Sequence, residues 1–131
     1  MNLQEYFDNT TGKGVLATAD GNGKVDAAVY STPNIIDNKT VAFVMRQRLT
    51  HNNLQSNPYA AYLFVEDAPH YKGVRLFLKK IREEQDSPRI DAMKKRHLSE
   101  EQDKALGPKF LVYFTVENVL PLIGGDSNDC K

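Results

Sequence analysis

VAFVMRQRLTHNNLQSNP, residues 41–58, decides the reading of this chain. It opens as an apolar run, passes through Arg46-Gln47-Arg48 and Thr50-His51-Asn52-Asn53, and stops at Asn57-Pro58. The alternation of Val41, Phe43 and Met45 predicts a strand over 40–45. Residues 50–56 suit a short helix that ends ahead of Pro58, because a residue preceding proline is pushed out of the helical region. The strand thus hands over to a helix across two arginines. No Asp or Glu occurs between Asp37 and Glu66, whereas Lys39, Arg46, Arg48 and His51 all fall there. A helix start exposes unpaired N–H groups and a partial positive charge. Two guanidiniums and the Thr50 hydroxyl beside it would make a seat for a phosphate. The plainer alternative is that Thr50 only caps the helix and both arginines are solvated.

Working outward, residues 14–19 and 25–31 read as two strands of a hairpin, joined by Asp20-Gly21-Asn22-Gly23. Upstream, Asn2 can cap a helix over 2–9, with Leu3, Tyr6 and Phe7 on one face. Residues 33–38 read as a loop or strand edge. Residues 59–65 are apolar on both faces, as a central strand would be, and 73–81 alternate Val74, Leu76 and Leu78 against Arg75, Phe77 and Lys79. The charged run 79–84 reads as a solvated strand end. Ser87-Pro88 is a helix start, placing Ile90, Met93 and His97 on one face, and 99–106 allow a further helical turn. Residues 109–116 alternate again. About six antiparallel strands with two or three short helices predict a mainly β (α+β) chain forming a small closed or partly closed barrel. At 131 residues, one domain over 1–131 is expected.

The chain carries 17 basic and 17 acidic residues, so it lacks the basic excess of a nucleic-acid binder. Its one cysteine, Cys130, cannot form an internal disulfide, which fits a reducing compartment. With no apolar run long enough to span a membrane and no signal-peptide pattern at the N-terminus, a cytoplasmic location is expected. His51, His70 and His97 lie far apart without Cys or carboxylate spacing, so no metal site is expected. Gly21-Asn22-Gly23 sits in a hairpin turn, not at a helix start, and is no dinucleotide fingerprint. Lys94-Lys95-Arg96 reads as an exposed helix face. No catalytic residue stands out.

The order GVLATADGNGKVDAAVY, then VAFVM, then a polar loop running into Asn53-Leu54-x-x-Asn57-Pro58 and a strand, resembles the pyridoxamine 5′-phosphate oxidase-like, FMN-binding split-barrel proteins. The resemblance is best over residues 14–66 and looser through YKGVRLFL and KFLVYFTVENVLPLIG. It implies an antiparallel split β-barrel and a homodimer with FMN at the subunit interface. It implies a phosphate loop of Arg46, Gln47, Arg48, Leu49 and Thr50, with Asn53 nearby. Ala27, Ala28, Val29, Tyr30 and Ser31 would run along the isoalloxazine ring, with Val44 and Met45 flanking the ring or ribityl chain. Many family members have Ser-Arg-Lys where this chain has Arg48-Leu49-Thr50, so the positive charge sits upstream.

The resemblance points to an FMN-dependent oxidoreductase of an unidentified small substrate. The alternatives are a non-catalytic FMN-binding or electron-transfer module, or the same barrel holding haem or a deazaflavin. A haem reading requires a histidine at the cleft, His51 or His70. Oxidation of pyridoxamine phosphate itself is not expected, because the tail GGDSNDCK offers no Arg or His for a second phosphate pocket. That polar tail is expected to dock on its own barrel or on the second subunit.

Overall fold

Asp20 turns the chain. Its Oδ1 accepts from the N–H groups of Asn22 (2.8 Å) and Lys24 (2.9 Å), and Gly23 takes a φ of +82° that a side chain would resist. The turn pairs β1 (Gly12–Ala19) with β2 (Val25–Tyr30), Gly14 opposite Tyr30 and Ala19 opposite Val25. Five more strands follow: β3 (Asn34–Asp37), β4 (Thr40–Arg46), β5 (Tyr59–Glu66), β6 (Gly73–Gln85) and β7 (Lys109–Pro121). Four short helices, α1 (Leu3–Asp8), α2 (Leu49–Ser56), α3 (Arg89–Met93) and α4 (Glu100–Ala105), lie between them. This computed structural model describes residues 1–93 and 100–125; the Lys94-Lys95-Arg96 run, His97, Cys130 and the tail beyond residue 125 lie outside them.

The strands form one antiparallel sheet in the order β2-β1-β5-β6-β7-β4-β3. The sheet rolls up: Tyr30 on β2 packs edge-on to Phe43 on β4 at 5.9 Å, although their strands stand near opposite ends of that order. The result is a mainly β split barrel. Period-2 alternation sends Leu16, Phe43, Tyr62, Leu76, Val112 and Phe114 inward, and α1 closes one end with Leu3 and Phe7. Tyr62, fully buried, donates its hydroxyl to the carbonyl oxygens of Ser31 (3.0 Å) and Tyr30 (3.3 Å). Gly14 makes room for that ring: a Cβ there would land on the Tyr62 ring and hydroxyl.

The sequence reading differs from the structure in four places. Residues 33–38 contain a strand, β3, bringing the total to seven. The strand expected over 73–81 runs on to Gln85, paired with β7 through bulges at Phe77/Leu78 and Lys80/Arg82; its charged run 79–84 is exposed or half-exposed, as a solvated strand end would be. Within it, Arg82 lies over the Tyr113 ring at 3.7 Å. Over residues 110–114, β7 is buried on both faces, since α3 lays Ile90 over Ala42, Leu111 and Tyr113 on the outside of the barrel. Finally, α2 begins at Leu49, ahead of Thr50. No helix among the described residues is long and apolar enough to cross a membrane.

Candidate functional site

The N-terminus of α2 has no side-chain cap. Its N-cap position is Arg48, in extended conformation, and a guanidinium carries no acceptor for the first N–H groups of the helix. Thr50 is therefore not the cap; it is the second helical residue, 4% exposed. The first turn holds no acidic residue either. Free N–H groups, a helix dipole and the Arg48 charge converge there, and this is the electrostatic arrangement that takes an anion.

This end of α2 opens onto a cavity of about 580 Å³. Its floor is Phe43, Val44 and Met45 of β4; one side is β2 and its exit, with Asp26, Ala28, Val29, Tyr30 and Ser31. Arg46, Arg48, Leu49 and Thr50 stand at one end. The rest of the wall comes from a distant part of the chain: Ile90 and Met93 of α3, and, beside Arg46, Asp103 of α4 and Lys109 of β7.

Ten of the residues proposed from sequence thus share one cavity, and three do not line it. Ala27 pairs with Ala17 of β1, away from the cavity. Gln47 is exposed. Asn53 is buried and donates from Nδ2 to Thr18 Oγ1 at 3.0 Å, anchoring α2 to β1 inside the barrel.

Electrostatics separates the two arginines. Arg46 donates from Nη1 to the carbonyl oxygens of Gly107 (2.9 Å) and Asp103 (3.3 Å), and its Nη2 pairs with the Asp103 carboxylate. The other oxygen of that carboxylate takes Lys109 Nζ at 2.7 Å. Arg48 forms no ion pair among the described residues. Burial pushes the Tyr30 phenol above its ordinary pKa, partly offset by its hydrogen bond with Thr50 and by the charge of Arg48. Tyr30 therefore keeps its proton at neutral pH and stands as a hydroxyl in the lining.

His51 supports α2 from behind. Its ring stacks on Phe110 at 3.8 Å between centroids, and its Nε2 lies 3.0 Å from Glu83 on β6. Lys80 Nζ (2.6 Å) and Gln55 Nε2 (3.0 Å) reach the other Glu83 oxygen. Burial pushes the Glu83 carboxyl up, but its bonds to Lys80, Gln55 and His51 outweigh that and hold it down at about 2. Neither His51 nor His70 lines the cavity, and the described residues contain no group of metal ligands. Sequence reasoning missed the distant part of the wall. The Ser87-Pro88 helix start was visible, but nothing local to Asp103 or Lys109 marks them as neighbours of Arg46.

The sequence matches no protein-family model, and no curated protein matches it. Solved structures do match in fold. An FMN-binding protein from Syntrophomonas wolfei subsp. wolfei aligns with a TM-score of 0.72 at 19% identity, covering 92% of this chain and 84% of that one. An F420 reductase aligns at 0.66 and 16% identity, over 88% and 94% of the two chains. A Clostridium acetobutylicum protein related to general stress protein 26, of the pyridoxinephosphate oxidase family, aligns at 0.59 and 16% identity, over 90% and 84%. The chain therefore has the split-barrel fold of the pyridoxamine 5′-phosphate oxidase-like, FMN-binding proteins.

Proposed function

We propose that this protein is an FMN-binding flavoprotein, acting as an oxidoreductase on a small substrate that approaches the isoalloxazine ring. The observation that carries the reading is the uncapped N-terminus of α2, set with Arg48 and Thr50 at one end of an otherwise largely apolar cavity. A phosphate fits the charged end: Arg48 supplies the charge, Thr50 a hydroxyl, and the first turn of α2 its free N–H groups. Val44, half-buried on the outward side of β4, offers a flat ring an apolar contact, while Met45 is packed into the barrel core behind it. Bound there, a flavin supplies hydride and single-electron transfer. The chain's own residues bind it, orient it and, through Tyr30, offer a neutral hydrogen-bond donor.

A homodimer belongs to the same reading. Val25 and Val29 on β2 are 80% and 81% exposed, and the register sets Val29, Val15 and Leu63 in a row across β2, β1 and β5. Ala27, Ala17 and Ala61 form the next row. Monomeric proteins rarely leave so continuous an apolar face to water. Val29 also lines the cavity, so a second copy seated on this face would cover its mouth.

The test compares FMN with riboflavin, which lacks the phosphate, by fluorescence titration of the purified protein. Wild type is expected to prefer FMN. Arg48→Ala is expected to lose about 1.5–3 kcal/mol of FMN binding, the range for a charge-assisted hydrogen bond, while riboflavin binding stays near its starting value. Equal losses for both ligands would show that this end of the cavity does not hold a phosphate. Anaerobic bleaching of the bound flavin by NAD(P)H would then separate an oxidoreductase from a passive carrier.

A further inference from the structure

A carboxylate in the lining of an anion-binding cavity calls for an explanation. Asp103 is largely buried, with 17% of its side chain exposed, and each of its oxygens is committed to a different cation. One takes Arg46 and the other takes Lys109. Arg46 is held further by the carbonyl oxygens of Asp103 and Gly107, at and just beyond the C-terminal end of α4. Carbonyls at a helix C-terminus carry partial negative charge, so the helix end reinforces the carboxylate. Three cations line this part of the cavity, yet two are already held against α4, and Arg48 has no such partner among the described residues.

We propose that Asp103 is a specificity-determining residue: it occupies Arg46 and Lys109, leaves Arg48 and the α2 N-terminus to meet the ligand, and so restricts the cavity to ligands bearing a single phosphate monoester. The proposal rests on the flavin-phosphate reading above. Without Asp103, the cations of Arg46, Arg48 and Lys109 would face the cavity with Asp26 as the carboxylate left in its lining, and a diphosphate would gain more from them than a monophosphate. A built-in negative charge thus discriminates by repulsion as well as by occupancy.

The experiment uses the full chain carrying Asp103→Asn, which keeps the shape of the side chain and removes its charge. Riboflavin and FMN are titrated, and orthophosphate and pyrophosphate are used as competitors against FMN. The advantage of pyrophosphate over orthophosphate is expected to rise by about tenfold in the variant, and the preference for FMN over riboflavin is expected to rise with it. An unchanged pyrophosphate advantage overturns the proposal. So does a fall in FMN preference, which would mean that Asp103 aims Arg46 at the phosphate. If Asp103→Asn does not fold, Lys109→Met decides: the FMN preference is expected to stay within about twofold, because Lys109 is already taken. A loss as large as that of Arg48→Ala would overturn the proposal. Wild type binding FMN no better than riboflavin would fail the flavin-phosphate reading itself, a distinct result.

Discussion

Gly14→Ala probes how the barrel interior fixes the cavity. The new methyl would land on the Tyr62 hydroxyl and ring, which are fully buried and cannot retreat into solvent. Overpacking of this kind costs about 1–3 kcal/mol. Moving Tyr62 also breaks its hydrogen bonds to the carbonyl oxygens of Ser31 (3.0 Å) and Tyr30 (3.3 Å). Leaving buried polar groups unpaired adds about 1–3 kcal/mol, so a total of about 2–6 kcal/mol is expected, against about 5–15 kcal/mol for a whole domain. With a urea m value of about 2 kcal/mol/M, the midpoint of unfolding falls by about 1–3 M. Far-UV circular dichroism reads the transition, and tyrosine fluorescence checks that both probes coincide. Tyr62→Phe removes the atom nearest the new methyl. The double variant is therefore expected to lose less than the two single losses added together. A midpoint shift below about 0.5 M for Gly14→Ala, or strict additivity in the double variant, would refute this account of the interior.

The remaining predictions concern charge, assembly and binding. The Glu83 carboxyl is held at about 2, below its usual 4.5, so the stability it contributes is fully present above its unfolded value and is lost as pH falls toward 2. Glu83→Gln is expected to flatten the acid side of the stability curve; thermal melts at about pH 5 and pH 3 that fall equally in both proteins would contradict it. Val29→Lys places a charge at an 81% exposed position in the apolar face, so sedimentation is expected to shift from dimer to monomer with the melting temperature nearly unchanged. The ligand predictions are those for Arg48→Ala and Asp103→Asn, read by the ratio of FMN to riboflavin affinity.

Local chemistry made the first half of the barrel legible. The Asp20-Gly21-Asn22-Gly23 turn and the alternation beyond it predicted the β1–β2 hairpin, and the apolar run 59–65 predicted a central strand between two neighbours. Burial that depends on a distant element was not legible. Leu111 and Tyr113 occupy the outward positions of β7, and α3 packing over them, with Arg82 across the Tyr113 ring, makes them core. The same holds at the cavity. Both arginines were visible as cations, but the difference between them comes from Asp103, far along the chain. Asn53 shows the reverse case: its place in a polar loop motif pointed to the ligand, whereas its amide faces inward to Thr18.

The strand order has a consequence for the making of this protein. β4 does not pair with the next strand in the chain, β5, but with β7, so that Arg46 stands opposite Lys109 and Thr40 opposite Thr115. During synthesis β4 emerges early, and Val41, Phe43 and Met45 must wait for β7 before their strand is flanked on both sides. Such long-range pairings form slowly and leave apolar strands open to misassociation in the interval. The cavity draws its floor from β4 and part of its wall from α3, α4 and β7, so it cannot exist until that final pairing is made. Any ligand of this cavity is therefore bound only after β7 has paired with β4.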